Sequence, residues 1–153
     1  LTVVARLFDL VKPDVAFFGE KDAQQVFLVK QMTANRFADI AIQVVPTVRE
    51  THGLAMSSRN RYLSDADRAA ALSLSQTLLQ AGVDAQSGGS PSVVLSKATQ
   101  RMRAEHKAKL DYLVLVDPQT FELVGDEFKG RALMLIAATV GTTRLIDNQT
   151  IDF

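Results

Sequence analysis

Residues 17–25 read FFGEKDAQQ and change abruptly from aromatic side chains to charged and polar ones. Gly19 would let a ligand come close to the backbone, and Lys21 and Gln25, four residues apart, would share a helix face and contact one ligand together. Asp22 is placed to accept a hydrogen bond from a sugar hydroxyl, and the first amides of the helix attract anions. A solvated helix start, with acidic residues near the positive end of the helix dipole, has the same spacing. The spacing alone therefore leaves a nucleotide site and an ordinary helix start open.

A second polar cluster lies further along the chain, where residues 53–60 read GLAMSSRN. Ser57 and Ser58 supply adjacent hydroxyls and Arg59 supplies a guanidinium group, and all three side chains can donate hydrogen bonds to a polyphosphate. A mobile polar linker between two domains has a similar composition, so this interpretation also stays open. Neither cluster matches a Walker loop or a dinucleotide-binding fingerprint.

The composition argues against several other kinds of site. Because 17 basic and 17 acidic residues cancel, no global charge favours nucleic acid or an anionic membrane. The absence of cysteine excludes thiolate catalysis and cysteine-ligated zinc, and it fits a cytoplasmic protein. His52 and His106 are expected to be ordinary surface residues, so no metal site is expected. No apolar run approaches the roughly 20 residues of a membrane span. Arg144 is expected to pair with Asp147 without functional meaning.

The elements that must position the first cluster follow from hydrophobic spacing. In order, they are a helix over residues 1–12, a buried strand over 14–18, a helix over 22–37 and a strand over 39–46. The second of these helices is predicted to turn inward Val26, Val29, Met32 and Ala34. Short connections between strand, helix and strand favour a parallel βαβ unit with a right-handed crossover.

Residues 47–61 show no sustained periodicity and are predicted to be a loop at the boundary between two domains. Ser64 and Asp67 are close to a capping box at the start of the next helix. Beyond the loop, the predicted elements are a helix from Ser64 to about Ala81, a turn over 86–92, a helix to about Lys107, and strands over 110–117, 131–140 and 143–152. The chain is therefore expected to combine an α/β part with an α+β part.

The motifs in combination are distinctive. FFGEKDAQQ, VPTVRE and GLAMSSRNRYL, in this order, with DYLVLVD and GTTRLIDN near the end, closely resemble the pantothenate synthetase (pantoate–β-alanine ligase) family over essentially the whole chain. The resemblance places the chain in the nucleotidyltransferase superfamily, where MSSRN is similar to the KMSKS loop of class I tRNA synthetases. It implies that residues 1–47 are the end of an incomplete Rossmann-like nucleotide-binding domain and that 48–153 form a small α+β lid domain.

The resemblance implies an ATP-dependent ligase that condenses pantoate with β-alanine through pantoyl adenylate, releasing AMP and pyrophosphate. Magnesium would be shared with the phosphates and held by ligands outside this chain, and the full-length protein would be a cytoplasmic homodimer. The positions that match the family's site are Lys21, Ser57, Ser58 and Arg59 for the ATP phosphates and catalysis, Gly19 and Asp22 for the adenosine, Val48 and Met56 for the adenine, and Gln25 for pantoate.

One family motif is missing. Neither histidine stands in the H-x-G-H motif that the family carries in its amino-terminal half, and the chain starts within a helical pattern without a cap. We therefore expect a piece of a longer protein that is inactive by itself. Two alternatives stay open: the chain is a non-catalytic lid or nucleotide-binding piece, or it comes from another adenylate-forming ligase of the same superfamily.

Overall fold

The computed structural model describes residues 1–153 and divides into two compact units, Leu1–Thr47 and Val48–Phe153. The elements of the first unit are α1 (Thr2–Val11), β1 (Val15–Gly19), α2 (Ala23–Arg36) and β2 (Ala41–Val45). The elements of the second unit are a 3₁₀ helix (Ser58–Tyr62), α3 (Asp65–Gln86), α4 (Pro91–Ala104), β3 (Ala108–Val116), β4 (Arg131–Val140) and β5 (Thr143–Asp152). The prediction of an α/β part followed by an α+β part is confirmed.

The first unit is a parallel βαβ unit, as the element order predicts. β1 and β2 pair in parallel from Val15 opposite Ala41 to Gly19 opposite Val45, and α2 connects them. Because the pairing is parallel, both strands end at the same edge of the sheet. Phe8 of α1 is buried and packs edge-on against Phe18 and Phe37.

Two details of the first unit differ from the prediction. β1 is not a buried strand: its residues alternate between exposed and half-buried, and Phe17 is 69% exposed. The reason is that α1 and α2 pack with the sheet face that carries Phe18, in one apolar cluster. Ala34 is exposed and Thr33 is buried in its place, because Thr33 lies one helical turn after Val29 and donates its hydroxyl to the Val29 carbonyl at 2.8 Å.

In the second unit, β3, β4 and β5 form an antiparallel sheet in that order, and α3 and α4 pack against it. The predicted strands over 131–140 and 143–152 coincide with β4 and β5. The shared core consists of large, fully buried side chains from both helices and two of the strands, namely Leu74, Leu78, Val94, Met102, Met134, Ile136, Val140 and Ile151. Ser64 caps α3 as predicted, because its hydroxyl accepts the Asp67 amide at 3.2 Å.

The helix ends of the second unit were predicted less well. α3 continues to Gln86 instead of ending near Ala81, because Ala81 and Ala85 are one turn apart on the same buried face. α4 ends at Ala104 instead of Lys107, since the chain already enters β3 at the buried Ala108. No helix of the structure is both long and apolar enough to cross a membrane.

Candidate functional site

The first polar cluster lies where β1 ends. Gly19 is the last residue of the strand and pairs with Val45, the last residue of β2. Glu20 extends this pairing, because its amide donates to the Val45 carbonyl at 2.8 Å. Lys21 follows in the turn and is partly buried. Since ligands of open α/β sheets bind beyond the carboxyl ends of parallel strands, the cluster occupies the edge where such a ligand would lie.

Asp22 is the N-cap of α2, which begins at Ala23. Its carboxylate accepts the backbone amide of Gln25 at 3.2 Å, the usual role of an aspartate at this position. Lys21 therefore precedes the helix, and the prediction that Lys21 and Gln25 share one helix face is wrong. The two residues still belong to one short segment, where the Gln25 side chain is exposed on the first turn of α2.

Gly19 is not required by the fold around it. An added Cβ would meet no atom within 4 Å, and the backbone does not have the positive φ that favours glycine. The space beside this residue is therefore open. A ligand could approach the main chain here more closely than at a position with a side chain.

The second cluster begins with a small hairpin over residues 48–56. The Met56 amide donates to the Val48 carbonyl at 2.9 Å, and Arg49 bridges to Ala55. Gly53 closes the turn with a φ of +95°, a conformation that side chains with a Cβ rarely adopt. Val48 and Met56, which the resemblance assigns to the adenine, therefore lie side by side and are 61% and 56% exposed.

Residues 57–59 connect this hairpin to the 3₁₀ helix. The Ser57 hydroxyl accepts the Arg59 amide at 3.2 Å and so caps that helix. Ser58 and Arg59 are exposed, whereas Asn60 is only 3% exposed. The prediction of a plain loop over 47–61 is thus wrong, because a hairpin and a turn of helix give this segment regular hydrogen bonding. Ser58 and Arg59 therefore face solvent from a hydrogen-bonded backbone, and Ser57 beside them is half-buried.

A ring of polar contacts lies behind the exposed residues. The Asn60 side-chain amide donates to Oε1 of Glu50 at 2.8 Å, and Arg68 of α3 donates to Oε2 of the same carboxylate. Arg68 also donates to the Asn60 carbonyl at 3.0 Å. The hydrogen bonds from Asn60 and then Arg68 hold the pKa of Glu50 below its ordinary value. Glu50 is therefore a carboxylate that joins the hairpin, the 3₁₀ helix and α3.

A second ion pair connects the hairpin to β5. Arg49 donates two hydrogen bonds to Asp147, at 2.7 and 3.0 Å, and a third to the Gly53 carbonyl at 3.1 Å. The Asp147 side chain is only 2% exposed. The predicted pair between Arg144 and Asp147 is wrong, because residues three apart in a strand point to opposite faces. Arg144 pairs instead with Asp111 of β3 at 2.7 Å.

The arginines of the second unit differ in whether a carboxylate neutralises them. Arg49 and Arg68 are both paired with an acid, as described above. Arg59 and Arg61 of the 3₁₀ helix are exposed and take part in no ion pair. Arg61 stacks instead on the ring of Tyr62. The surface next to Ser57 and Ser58 therefore carries positive charge that an anionic ligand could neutralise.

The sequence does not reveal how four residues support the second cluster, because their partners lie on other elements. These residues are Arg49, Glu50, Arg68 and Asp147. The motif by itself does not reveal the burial of Asn60. Asparagine side chains commonly bond to nearby backbone groups, and this one donates to the Ala55 carbonyl five residues before it. Both histidines are exposed, as expected.

These observations define an α/β unit with a polar segment at the carboxyl edge of its parallel strands, followed by an α+β unit that displays hydroxyls and unpaired guanidinium groups. The chain belongs to the pantoate-beta-alanine ligase family, whose model matches residues 1–150. The family indicated by the motifs is thereby confirmed.

Curated relatives support the same family. The chain is 51% identical to the pantothenate synthetase of Thermobifida fusca over 97% of its length, and 54% identical to that of Leifsonia xyli over 99%. It covers 51% and 52% of those proteins, so it spans about half the length of the curated relatives it matches.

Solved structures agree with these relatives. A pantothenate synthetase from Thermus thermophilus matches 97% of the chain with a TM-score of 0.90 and 42% identity, and the chain covers 53% of it. A pantoate-β-alanine ligase from Francisella tularensis, solved in complex with βγ ATP and β-alanine, matches 97% with a TM-score of 0.70 and 30% identity, and the chain covers 48% of it.

Proposed function

We propose that the full-length protein, meaning a protein of the family's length that includes this chain, is an ATP-dependent ligase that joins pantoate to β-alanine. The observation that carries the proposal is the family match over residues 1–150. The hydroxyls of Ser57 and Ser58, together with the exposed guanidinium group of Arg59, which takes part in no ion pair, give this proposal a chemical basis. The complex of the Francisella tularensis relative with βγ ATP and β-alanine supports the choice of nucleotide and amine.

The reaction would proceed in two steps. A pantoate carboxylate oxygen attacks the α-phosphorus of ATP, and the bond to the bridging oxygen breaks to release pyrophosphate. The amine of β-alanine then attacks the acyl carbon of pantoyl adenylate, loses a proton and expels AMP. Each step moves negative charge onto phosphate oxygens. Cations and hydrogen-bond donors that are already in place stabilise such charge without reorganising.

Both polar clusters would supply residues that bind the substrates. Lys21, from the turn after β1, and Arg59, from the 3₁₀ helix, would neutralise charge on the phosphates. Ser57 and Ser58 would donate hydrogen bonds to the phosphate oxygens, and the capping bond of Ser57 uses its oxygen as an acceptor and not its proton. Gln25 would bind pantoate through its exposed amide.

The nucleoside would lie against the main chain. Gly19 offers open space beside the backbone, and Asp22 has a second carboxylate oxygen besides the one that caps α2. That oxygen would accept a hydrogen bond from the ribose. Val48 and Met56 would contact the adenine from the exposed edge of the hairpin.

Magnesium would accompany the phosphates of ATP. No group of three or more histidine, cysteine, aspartate or glutamate side chains in the structure is arranged to hold a metal ion. We therefore assign no residue of this chain to magnesium and derive no step through it. The full-length protein would be a homodimer, which its molar mass in solution would test.

The role of Lys21 can be tested by mutation in the full-length protein. Lys21→Ala is expected to slow pyrophosphate release from ATP and pantoate by on the order of 10²-fold, because a charge contact to the transition state is lost. Lys30→Ala, which removes an exposed lysine from α2, is the control and should be nearly neutral. A rate for Lys21→Ala equal to that of the control would contradict the assigned role.

The substrates can be tested in the same assay. We expect pyrophosphate release to require pantoate, and AMP release with amide formation to require β-alanine. Turnover with another acid and amine, but not with these, would reassign the protein to a different adenylate-forming ligase. The 153-residue chain alone is expected to release no pyrophosphate, and turnover by it would show that the chain contains a complete site.

A further inference from the structure

We propose that Glu50 is a positioning residue that holds the phosphate-binding segment 57–59 in place through Asn60 and Arg68. The expected effect of Glu50 on catalysis rests on the proposed function, whereas its expected effect on the backbone of residues 57–59 does not. Glu50 itself lies in the hairpin and would touch neither ATP nor pantoate. Its effect would be transmitted through the residue that directly follows Arg59.

Asn60 is the anchor of the exposed segment. Its backbone amide donates to the Ser57 carbonyl at 3.0 Å, and its carbonyl accepts hydrogen bonds from the Leu63 amide and from Arg68. Its side-chain amide donates to Glu50 at 2.8 Å and to the Ala55 carbonyl at 3.2 Å. Every polar contact of this buried residue therefore fixes the backbone that carries the exposed hydroxyls and guanidinium group.

The amide of Asn60 depends on Glu50 more than these contacts alone suggest. Its Oδ1 atom is buried and has no hydrogen-bond partner, so the group is held from its donor side only. Without the Glu50 carboxylate, Nδ2 would keep only the Ala55 carbonyl, and Arg68 would lose its acid. Two of the three contacts that residue 60 makes outside its own helix would then be weakened together, and only the bond to the Ala55 carbonyl would stay intact.

Displacement of this backbone would change where the phosphates are held. A shift of about 1 Å in a positioning contact can lower a rate by about 10²-fold. We expect Glu50→Ala in the full-length protein to lower kcat/KM for ATP by about 10- to 10²-fold, with a raised KM for ATP and an unchanged KM for β-alanine. Glu50→Gln keeps acceptor oxygen for one of the two partners and should recover part of the loss.

A matched control separates positioning from general destabilisation. Asp84 on α3 is also a carboxylate with a lowered pKa, caused first by the neighbouring Arg101 guanidinium, with which it forms an ion pair at 2.7 Å. Asp84→Asn should lower stability without changing the KM for ATP. If Asp84→Asn and Glu50→Ala raise that KM equally, or if neither does, the positioning role is overturned.

Amide hydrogen exchange of the full-length protein gives a second measurement that does not require activity. Peptides that cover residues 56–62 should exchange faster in Glu50→Ala than in the parent protein, and at an unchanged rate in Asp84→Asn. Faster exchange in Glu50→Ala, with no measurable pyrophosphate release by the parent protein, would contradict the proposed function but leave the positioning of residues 57–59 by Glu50 supported. Unchanged exchange in Glu50→Ala would overturn the positioning role whatever the activity.

Discussion

The ion pair between Arg49 and Asp147 should contribute strongly to the stability of the second unit. Asp147 is a buried acid on β5 that accepts two hydrogen bonds from Arg49, at 2.7 and 3.0 Å. Its Oδ1 atom also accepts the Asn148 amide at 2.8 Å. Asp147→Ala removes all of these bonds and leaves Arg49 with the Gly53 carbonyl as its remaining acceptor.

The size of the effect follows from the burial of the two side chains. Removing one partner of a buried ion pair lowers the free energy of unfolding by about 3–5 kcal/mol. The Arg49 side chain is 31% exposed, so water can solvate it once its partner is gone. We therefore expect a loss of about 3 kcal/mol, at the lower end of that range. Asp147→Asn keeps one acceptor oxygen and should lose less.

Asp111→Ala is the matched control. Asp111 pairs with Arg144 of β5 at 2.7 Å, so the chemistry is the same, but its side chain is 49% exposed and that of Arg144 is 48% exposed. Exposed pairs of this kind contribute about 0–1 kcal/mol. The predicted difference between the two alanine variants is therefore about 2 kcal/mol or more, which is well above the error of a denaturation experiment.

Urea denaturation followed by tyrosine fluorescence measures this difference in the unit concerned. The chain has two tyrosines and no tryptophan, and both Tyr62 and Tyr112 lie within Val48–Phe153. With a slope of about 1.5 kcal/mol/M, the midpoint should fall by about 2 M in Asp147→Ala and by less than about 0.7 M in Asp111→Ala. Equal shifts in the two variants would refute the reasoning that burial decides the strength of the pair.

Two further predictions concern backbone strain and pH. Gly141→Ala should lower the free energy of unfolding by about 1–2 kcal/mol. The reason is that Gly141 has a φ of +58° and an added Cβ would lie 3.1 Å from Oδ2 of Asp67. Gly125→Ala is the control: its added Cβ meets nothing within 4 Å, so it should lose far less stability in the same denaturation assay. The pKa of Glu50 is lowered from its ordinary value of 4.5, first by the Asn60 amide and then by Arg68. The Glu50 charge therefore stabilises the folded state above about pH 4.5, and this contribution is lost as the pH falls through the lower pKa of the folded state. The unfolding free energies of the parent and of Glu50→Gln, measured against pH, should converge in acid, and a difference that stays constant down to the lowest pH would contradict this linkage.

Local signals were enough to predict most elements of the fold. The strands of the second unit are long apolar or alternating runs, and Ser64 with Asp67 marked the start of α3 because a cap depends on residues three apart. Helix ends were less predictable. α3 runs past Ala81 because Ala85 is buried against the sheet, and no local feature of the sequence reveals that contact.

The candidate site was predictable in part for the same reason. The residue types of both clusters and their place at the end of a strand or between two domains could be read locally. The face shared by Lys21 and Gln25 was predicted wrongly, because the N-cap position of Asp22 moved the helix start beyond the lysine. The partner of Asp147 was also predicted wrongly, since Arg49 lies 98 residues away along the chain.

The two clusters are held in place by contacts that span different distances along the chain. The first cluster is held by contacts within its own βαβ unit: the Asp22 carboxylate caps α2 by accepting the Gln25 amide, and the Glu20 amide extends the pairing of β1 with β2. The second cluster depends on α3 through Glu50 and on β5 through Arg49, so its geometry forms only when the α+β unit has folded. Substitutions in β5 should therefore disturb residues 57–59, the proposed phosphate-binding segment, without any contact to ATP, whereas the turn that carries Lys21 should keep its shape. Loss of nucleotide binding in a β5 variant is thus no sign that β5 touches the nucleotide, because the Arg49–Asp147 pair can transmit the effect.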